Sequence, residues 1–528
     1  MSASPLSEAV ARTRASYDAT PYPSFPLVRQ QPARMAAAAL WFGLSAPSAR
    51  SARVLEIGCA DGGHLIPLAA AWPQARFLGV DLSPAQIAAG EARIGRLGLR
   101  NIALEARSLD SIGEADGVFD YIVCHGVYSW IPQALRETLL RVVSERLAPD
   151  GVAAISFNVL PGWRLYQIAR DSLLLHESLQ RGAASRADNA RALFGALASE
   201  TDAARTHGQF WRVEAPRMAR GGDAYIAHEI FEEDNAPLTF LDFCAALDSA
   251  GLAYLGECNV SANAEETLAE AGAPRIRALA GGDDRAREQY IDIFSGRSFR
   301  EALIVHAARA DAIRREPQAE RMDALHFIPP LALTATPPAN GAPWRFGEGE
   351  GGVLVEDATV AAALARLIAR LPRSSRLEDI APAATTPAAA RAAVADALMR
   401  LVRFGHCAIA TEPVACATRL EERPLAWRLP AIDARDRAAT ATLRHEPARV
   451  DSLDRLVLML LDGTRTRDDC VAYALGLAGA GALEMSGPDG PVTDRDALLA
   501  RLGAGVDRAL GALLRNGFLV DRETDGGG

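Results

Sequence analysis

Between Arg53 and Phe157 the chain alternates short apolar runs with amphipathic stretches, and this alternation narrows the fold more than any other feature of the sequence. The runs at 53–57, 76–80, 101–105, 119–124 and 152–157 read as strands. The stretches at 63–72, 84–97 and 132–147 carry helical periodicity. Strand and helix in regular alternation predict a doubly wound α/β fold, a parallel sheet covered on both faces. Ligands of such sheets bind at the carboxyl ends of the strands.

The rest of the chain divides by texture. Residues 1–50 contain Tyr17-Asp-Ala-Thr-Pro-Tyr-Pro-Ser-Phe-Pro26. The prolines at 21, 23, 26 and 32 exclude a helix across that stretch, which predicts an extended strap or lid. The sheet unit occupies 51–170, and a polar-faced helical connection follows at 171–215. A second unit at 216–310 is mixed but more helical. Residues 311–402 begin with a Pro- and Gly-rich linker around 328–352 and continue as an Ala-rich helical segment at about 356–402. The last unit, 403–520, contains the amphipathic run Asp454-Arg-Leu-Val-Leu-Met-Leu-Leu-Asp-Gly463, stopped by its glycine. The tail 521–528 is expected to be disordered.

Composition removes several function classes. Arg plus Lys number 56 against 66 acids, a net charge of −10 that disfavours nucleic acid as a partner. No apolar run reaches the roughly 18 residues of a membrane span. The first residues carry no basic n-region and no apolar h-region, so secretion is not expected. The 7 cysteines are scattered without a CxxC pair, which predicts reduced thiols and a cytoplasmic chain. His228-Glu229 lacks the second histidine of a zinc motif, and His406, Cys407 and Cys416 lack a second pair, so no metal is expected. Every basic residue is arginine, since the sequence contains no lysine. The coding bias of a GC-rich genome accounts for this.

The chemistry concentrates in Val54-Leu-Glu-Ile-Gly-Cys-Ala-Asp-Gly-Gly63. Gly58, Gly62 and Gly63 allow a tight turn after the first strand and close approach of backbone to ligand. The spacing is not GxGxxG, which disfavours a dinucleotide pyrophosphate. Asp81 ends the second strand about 20 residues later, where a carboxylate can accept both hydroxyls of a ribose. Glu56 stands one residue before the end of the first strand and can hold an ammonium group. A nucleoside carrying an amino acid and no phosphate satisfies all three: S-adenosyl-L-methionine (SAM).

On these residues, 53–157 resemble a class I SAM-dependent methyltransferase with a Rossmann-like sheet. Phe119-Asp-Tyr-Ile-Val-Cys-His-Gly-Val-Tyr-Ser-Trp-Ile-Pro132 resembles a narrower group, the bacterial methyltransferases with a methyltransferase regulatory domain, which includes the rickettsial-type protein lysine methyltransferases. The Tyr17 strap, Asn158-Val-Leu-Pro-Gly-Trp163, Glu288-Gln-Tyr-Ile-Asp292, Arg297-Ser-Phe-Arg300 and Leu461-Asp-Gly-Thr-Arg465 are similar to the same group. The resemblance implies that 216–310 is the regulatory domain and that 403–520 is a winged-helix-like domain. It implies that Glu56, Gly58 and Cys59 line the methionine end of SAM, that Asp81 and Leu82 hold ribose and adenine, and that Ser108, Leu109 and Asp110 flank the adenine edge. Cys124, His125 and Gly126 pass under the methyl group, and Tyr17 and Tyr22 close over the cofactor. Where the family often has His-Pro after the strap, this sequence has Gln31-Pro32. The resemblance also implies a homodimer.

Tyr128 and Trp130 follow the fourth strand, where an acceptor pocket belongs, and His125 is a candidate proton acceptor. Cys59 and Cys124 are expected to be small packing residues rather than nucleophiles. The acids of Ala227-His-Glu-Ile-Phe-Glu-Glu-Asp-Asn-Ala-Pro237 could line a groove for a basic peptide. The first expectation is methyl transfer to lysine side chains of an envelope or surface protein; a chain acting on lysines and lacking them cannot modify itself. A small-molecule N- or O-methyltransferase and a SAM-binding regulatory protein are the alternatives.

Overall fold

A computed structural model describes residues 10–522 apart from 16, 17, 19, 181–184, 233, 266, 267, 269–271, 337–342, 347–352, 488, 489 and 493. The centre is a sheet of seven strands: β1 (Arg53–Ile57), β2 (Arg76–Asp81), β3 (Ile102–Ala106), β4 (Phe119–Cys124), β5 (Leu147–Asn158), β6 (Leu252–Glu257) and β7 (Phe299–His306). Their order is β3-β2-β1-β4-β5-β7-β6. The first five run parallel, and β7 lies antiparallel to both β5 and β6. Chain order reverses between β1 and β4, the place where a doubly wound sheet opens its crevice. Register sets Ile57 opposite both Val80 and Cys124, so β1, β2 and β4 end at one level.

Five of these strands, β1 to β5, are legible in the sequence. β6 and β7 are not, because charge is buried inside them. The Arg300 side chain on β7 is 1% exposed and reaches Glu257 of β6 at 2.5 Å, Asp292 at 2.9 Å and Glu288 at 3.3 Å. Such a compensated cluster lets a charged strand enter a core, whereas its unpaired members would be costly there.

Two apolar layers cover the sheet. One contains Leu135, Leu139, Val143, Phe240 and Phe243 from the helices Gln133–Arg146 and Phe240–Ser249. The other contains Leu65, Ile66 and Leu68 with the helix Pro32–Trp41. That helix corrects the expected strap: Pro32 sits at its start, where proline suits a helix, and Met35, Ala37 and Ala39 are fully buried. The part without regular structure is 20–27. The helices Arg164–Leu179, Arg186–Glu200 and Thr206–Ala219 pack around Phe194 and Trp211. The Ala-rich segment expected at 356–402 is two long helices, Ala358–Ala369 and Ala388–Arg403, joined through Pro372, the short helix Leu377–Ile380, Pro382 and Pro387.

The C-terminal unit has helices Ser452–Leu460, Arg467–Gly479 and Arg495–Arg515 around Leu458, Cys470 and Leu510. Strand Leu425–Ala426 pairs with Leu519–Val520, and Ser486–Gly487 pairs antiparallel with Gly490–Pro491 between the last two helices. This unit docks on the sheet domain through polar contacts. Arg93 binds Asp433 bidentately at 2.9 and 2.6 Å, Arg437 meets Asp61 at 3.0 Å, and His445 meets His64 at 2.8 Å. Among the described residues, no helix is long and apolar enough to cross a membrane, and no group of three His, Cys, Asp or Glu is placed to hold a metal.

Candidate active site

The carboxyl ends of β1, β2 and β4 open into one cavity of about 450 Å³. Its first end is built from turns. Gly58 has φ +80°, and a Cβ on it would stand 2.5 Å from Val127 Cγ2. Gly63 lies under the N-terminal segment: its N–H donates to Ser24 Oγ at 2.7 Å, and a Cβ there would stand 2.5 Å from the Ser24 backbone. Both positions need glycine because other backbone or side chain occupies the space.

Asp81 is held by two backbone donors, Ala60 N–H and Ser83 N–H, each at 2.9 Å. Ser83 Oγ in turn donates to Asp18 at 2.5 Å. Glu56 is 4% exposed, and burial, with help from Asp81 and Asp61, pushes its carboxyl well above the usual range. Its Oε2 is buried and without a hydrogen-bond partner, as are Gln86 Nε2 and Asn158 Nδ2 on the same cavity wall. A cationic ammonium against Glu56 would reverse the desolvation that raises it. These groups fit SAM: Glu56 for the ammonium, Asp81 for the ribose hydroxyls, and Leu82, Ser108 and Leu109 beside the adenine.

Of the residues singled out from sequence, Tyr22, Glu56, Gly58, Cys59, Asp81, Leu82, Ser108, Leu109, His125, Gly126 and Trp130 line this cavity. Tyr17 lies outside the described residues. Tyr128 does not line it. The turn Tyr128–Trp130 is 3-10, so side chains two apart diverge: Trp130 faces the cavity while Tyr128 packs edge-on against Phe243 at 5.5 Å. Cys124, fully buried at the end of β4, belongs to that same apolar layer. Asp110 is exposed and away from the cavity wall, because Leu109 turns inward in its place.

His125 lines the cavity beside a polar cluster from the N-terminal segment and β7. Gln30 Nε2 donates to His125 Nδ1 at 2.7 Å and to Glu301 at 3.2 Å, which fixes the amide orientation. Burial lowers the pKa of the His125 ring. The side chain beside His125 Nδ1 is that of Gln30, and Gln31 precedes the helix Pro32–Trp41.

The second end of the cavity is aromatic. Trp163 stacks on Tyr166 at 4.9 Å and meets Trp130 edge-on at 6.1 Å. Tyr22, Tyr225 and Phe299 complete the wall. Arg217 covers the Tyr166 ring at 4.5 Å and binds Glu214 at 2.9 Å. Glu229 and His228 also reach the cavity from a π-helical turn, Ile226–Ile230. His228 Nε2–H donates to the Thr20 carbonyl at 2.6 Å, tying this turn to the N-terminal segment. Ser129 secures the floor, accepting from Asn158 N–H at 2.8 Å through its side chain and from Ala236 N–H at 2.9 Å through its carbonyl. Sequence reasoning missed Trp163, Tyr166, Tyr225 and Glu229 as site residues. The signals were the motif ending in Trp163, noted only as a resemblance, and the run 227–237, read as a groove of acids.

Comparison with known proteins agrees with this geometry. Residues 55–153 match the methyltransferase domain family, 222–306 the predicted methyltransferase regulatory domain, and 422–518 the family described as PKMT, C-terminal winged helix domain. The uncharacterized protein RP789 of Rickettsia prowazekii is 35% identical over 291 residues, 55% of this chain and 52% of that protein, so the similarity spans about half the relative's length. RP028 of the same organism is 34% identical over 43% of this chain and 92% of its own length. Among solved structures, PKMT2 from Rickettsia typhi in complex with AdoHcy superposes with a TM-score of 0.84 at 26% identity, covering 95% of this chain and 100% of that one. The chain belongs to one family with RP028, methyltransferases that join a methyltransferase domain to a methyltransferase regulatory domain and a PKMT C-terminal winged helix domain.

Proposed function

We propose that this protein transfers methyl groups from SAM to lysine side chains of a protein acceptor, envelope or surface proteins being the first candidates. One observation carries the reading. A single cavity joins the groups suited to SAM to an aromatic wall that carries an acid. Bound SAM supplies an electrophilic methyl on a sulfonium. Aromatic faces favour cations by about 0.5–2 kcal/mol, so Trp130, Trp163 and Tyr166 suit a sulfonium and an approaching ammonium alike. Alignment is what in-line transfer needs most, and the wall is rigid enough to give it, being stacked and hydrogen-bonded through Trp163 Nε1–H to Asn235.

A cytoplasmic location and a homodimer belong to the same proposal. The described structure leaves all 7 cysteines as buried free thiols. Leu165, Ile168, Leu175 and Leu179 are exposed along one face of Arg164–Leu179, a surface suited to a second copy.

Incubating the purified protein with methyl-labelled SAM and host lysate tests the reading. Label in protein, mapped to lysine, supports it. Label confined to the low-mass fraction overturns it in favour of a metabolite acceptor. SAM binding without any turnover favours a regulatory role.

A further inference from the structure

The cavity's aromatic end contains one acid whose role the cofactor does not explain. Glu229 sits in a single π-helical turn, an unusual backbone form often found at functional sites. The turn is stitched to the N-terminal segment by His228 and Thr20, so Tyr22 closes over the same end of the cavity. The Tyr22 and His228 rings meet edge-on at 5.8 Å. The charged and titratable groups facing Glu229 are His228, Arg217, Tyr22 and Tyr225. Arg217 is engaged by Glu214 and by the Tyr166 ring.

From this juxtaposition we infer that Glu229, enclosed by Tyr22 and Tyr225, is a binding site for a primary alkylammonium and takes the proton that the acceptor amine must lose. The inference rests on the lysine reading and adds the residue that would recognise the amine. The step balances. The ammonium gives a proton to the Glu229 carboxylate, and the freed nitrogen lone pair forms the new N–C bond. The C–S bond breaks with its electron pair going to sulfur, and Glu229 passes its proton to water afterwards. Burial supports this assignment, since it raises the Glu229 carboxyl to about 7 against the pull of His228 and Arg217. A free lysine amine has a pKa of about 10.4, and proton transfer is most effective between groups whose affinities approach each other. Aromatic surroundings lower the amine's pKa by the same desolvation that raises the acid's. Tyr22 and Tyr225, each pushed up to about 12 mainly by burial, stay protonated and can donate to Glu229 as it gains and loses charge.

The test compares the full-length protein with Glu229→Gln and Glu229→Asp, all loaded with S-adenosylhomocysteine, using n-butylammonium as the probe and tryptophan fluorescence as the readout. Wild type is expected to bind the probe more tightly as pH rises through about 7, where Glu229 ionises. Glu229→Gln is expected to lose at least about tenfold in probe affinity, with SAM affinity within about twofold of wild type. Glu229→Asp, which keeps the charge, is expected to recover part of the loss. Labelling of lysine should fall about a hundredfold in Glu229→Gln, with the acid limb near pH 7 gone. No probe binding by wild type, or equal binding by Glu229→Gln, overturns the inference. Labelled lysine at an unchanged rate in Glu229→Gln also overturns it, leaving the lysine reading intact. Probe binding that depends on Glu229, with no lysine labelled in any protein, sinks the lysine reading and leaves the ammonium site.

Discussion

The two ends of the cavity are made differently. The cofactor end comes chiefly from one stretch, Glu56 to Gly126, closed over by the segment 20–27, and strand register brings Glu56, Asp81 and Gly126 to the rim. The acceptor end is assembled from separate places: Tyr22 before the sheet, Trp130 after β4, Trp163 after β5, Tyr225 and Glu229 in the helical insertion, and Phe299 at the start of β7. Backbone geometry holds the first end, and packing of side chains between elements holds the second. A fold of this kind can keep one cofactor while its acceptor changes. The contrast makes a claim that experiment can break: substitutions at one end should leave the other end's affinity unchanged.

The largest effect is expected from Asp81→Ala. Two hydrogen bonds from ribose hydroxyls to a carboxylate are lost, each contributing about 1.5–3 kcal/mol. SAM affinity measured by calorimetry should fall by roughly two to four orders of magnitude. The variant also frees the Ala60 and Ser83 N–H groups, so the Gly-rich turn should loosen with it. Intact SAM affinity would remove Asp81 from the site and erase the distinction between the two ends.

Gly63→Ala should come next. Its methyl group would overlap the Ser24 backbone, which must move. Overpacking of this kind costs about 1–3 kcal/mol. The segment 20–27 should become more sensitive to protease, and SAM should bind more weakly because this segment lines both ends of the cavity. Unchanged proteolysis would show that the segment does not rest on the turn in solution.

Trp163→Ala sharpens the comparison from the other side. It removes the stack on Tyr166 and the edge contact with Trp130. The acceptor kcat/KM should fall roughly threefold to thirtyfold, the range of a lost cation–π face. SAM affinity should stay within about twofold of wild type. A matching loss of SAM affinity would show that the two ends are one coupled unit.

The same contrast explains what the sequence made legible. Val54 to Gly63 and Asp81 could be read because strand, turn and acid follow one another along the chain. Trp163 and Tyr225 could not, since nothing local says that residues 163 and 225 meet across an inserted helical unit. Tyr128 and Trp130 looked equivalent two positions apart, and only the 3-10 turn separates core from cavity wall. β6 and β7 were hidden by Arg300 and Glu257, whose mutual pairing is invisible without the fold.

A further effect concerns the junction between the cofactor turn and the C-terminal unit. His64 follows Gly63, and its Nδ1 accepts from Leu27 N–H at 3.2 Å and from His445 Nε2–H at 2.8 Å. Both rings are buried; burial lowers His64 to about 3 and His445 well below the usual imidazole range. The unfolded chain takes up protons near pH 6.5, whereas the folded pair does not until the pH is far lower. Stability from the pair is therefore complete above about pH 6.5 and declines as pH falls below it. At pH 5 the loss from His64 alone is about 2 kcal/mol. Melting followed from pH 7.5 to pH 5 should show the C-terminal unit loosening first, with a shift of a few degrees. A double His64→Gln, His445→Gln variant should flatten that pH dependence while leaving the Arg93–Asp433 pair in place. An equally steep decline in the double variant would assign the acid sensitivity to carboxylates elsewhere, and the junction would be a passive seam between the two units.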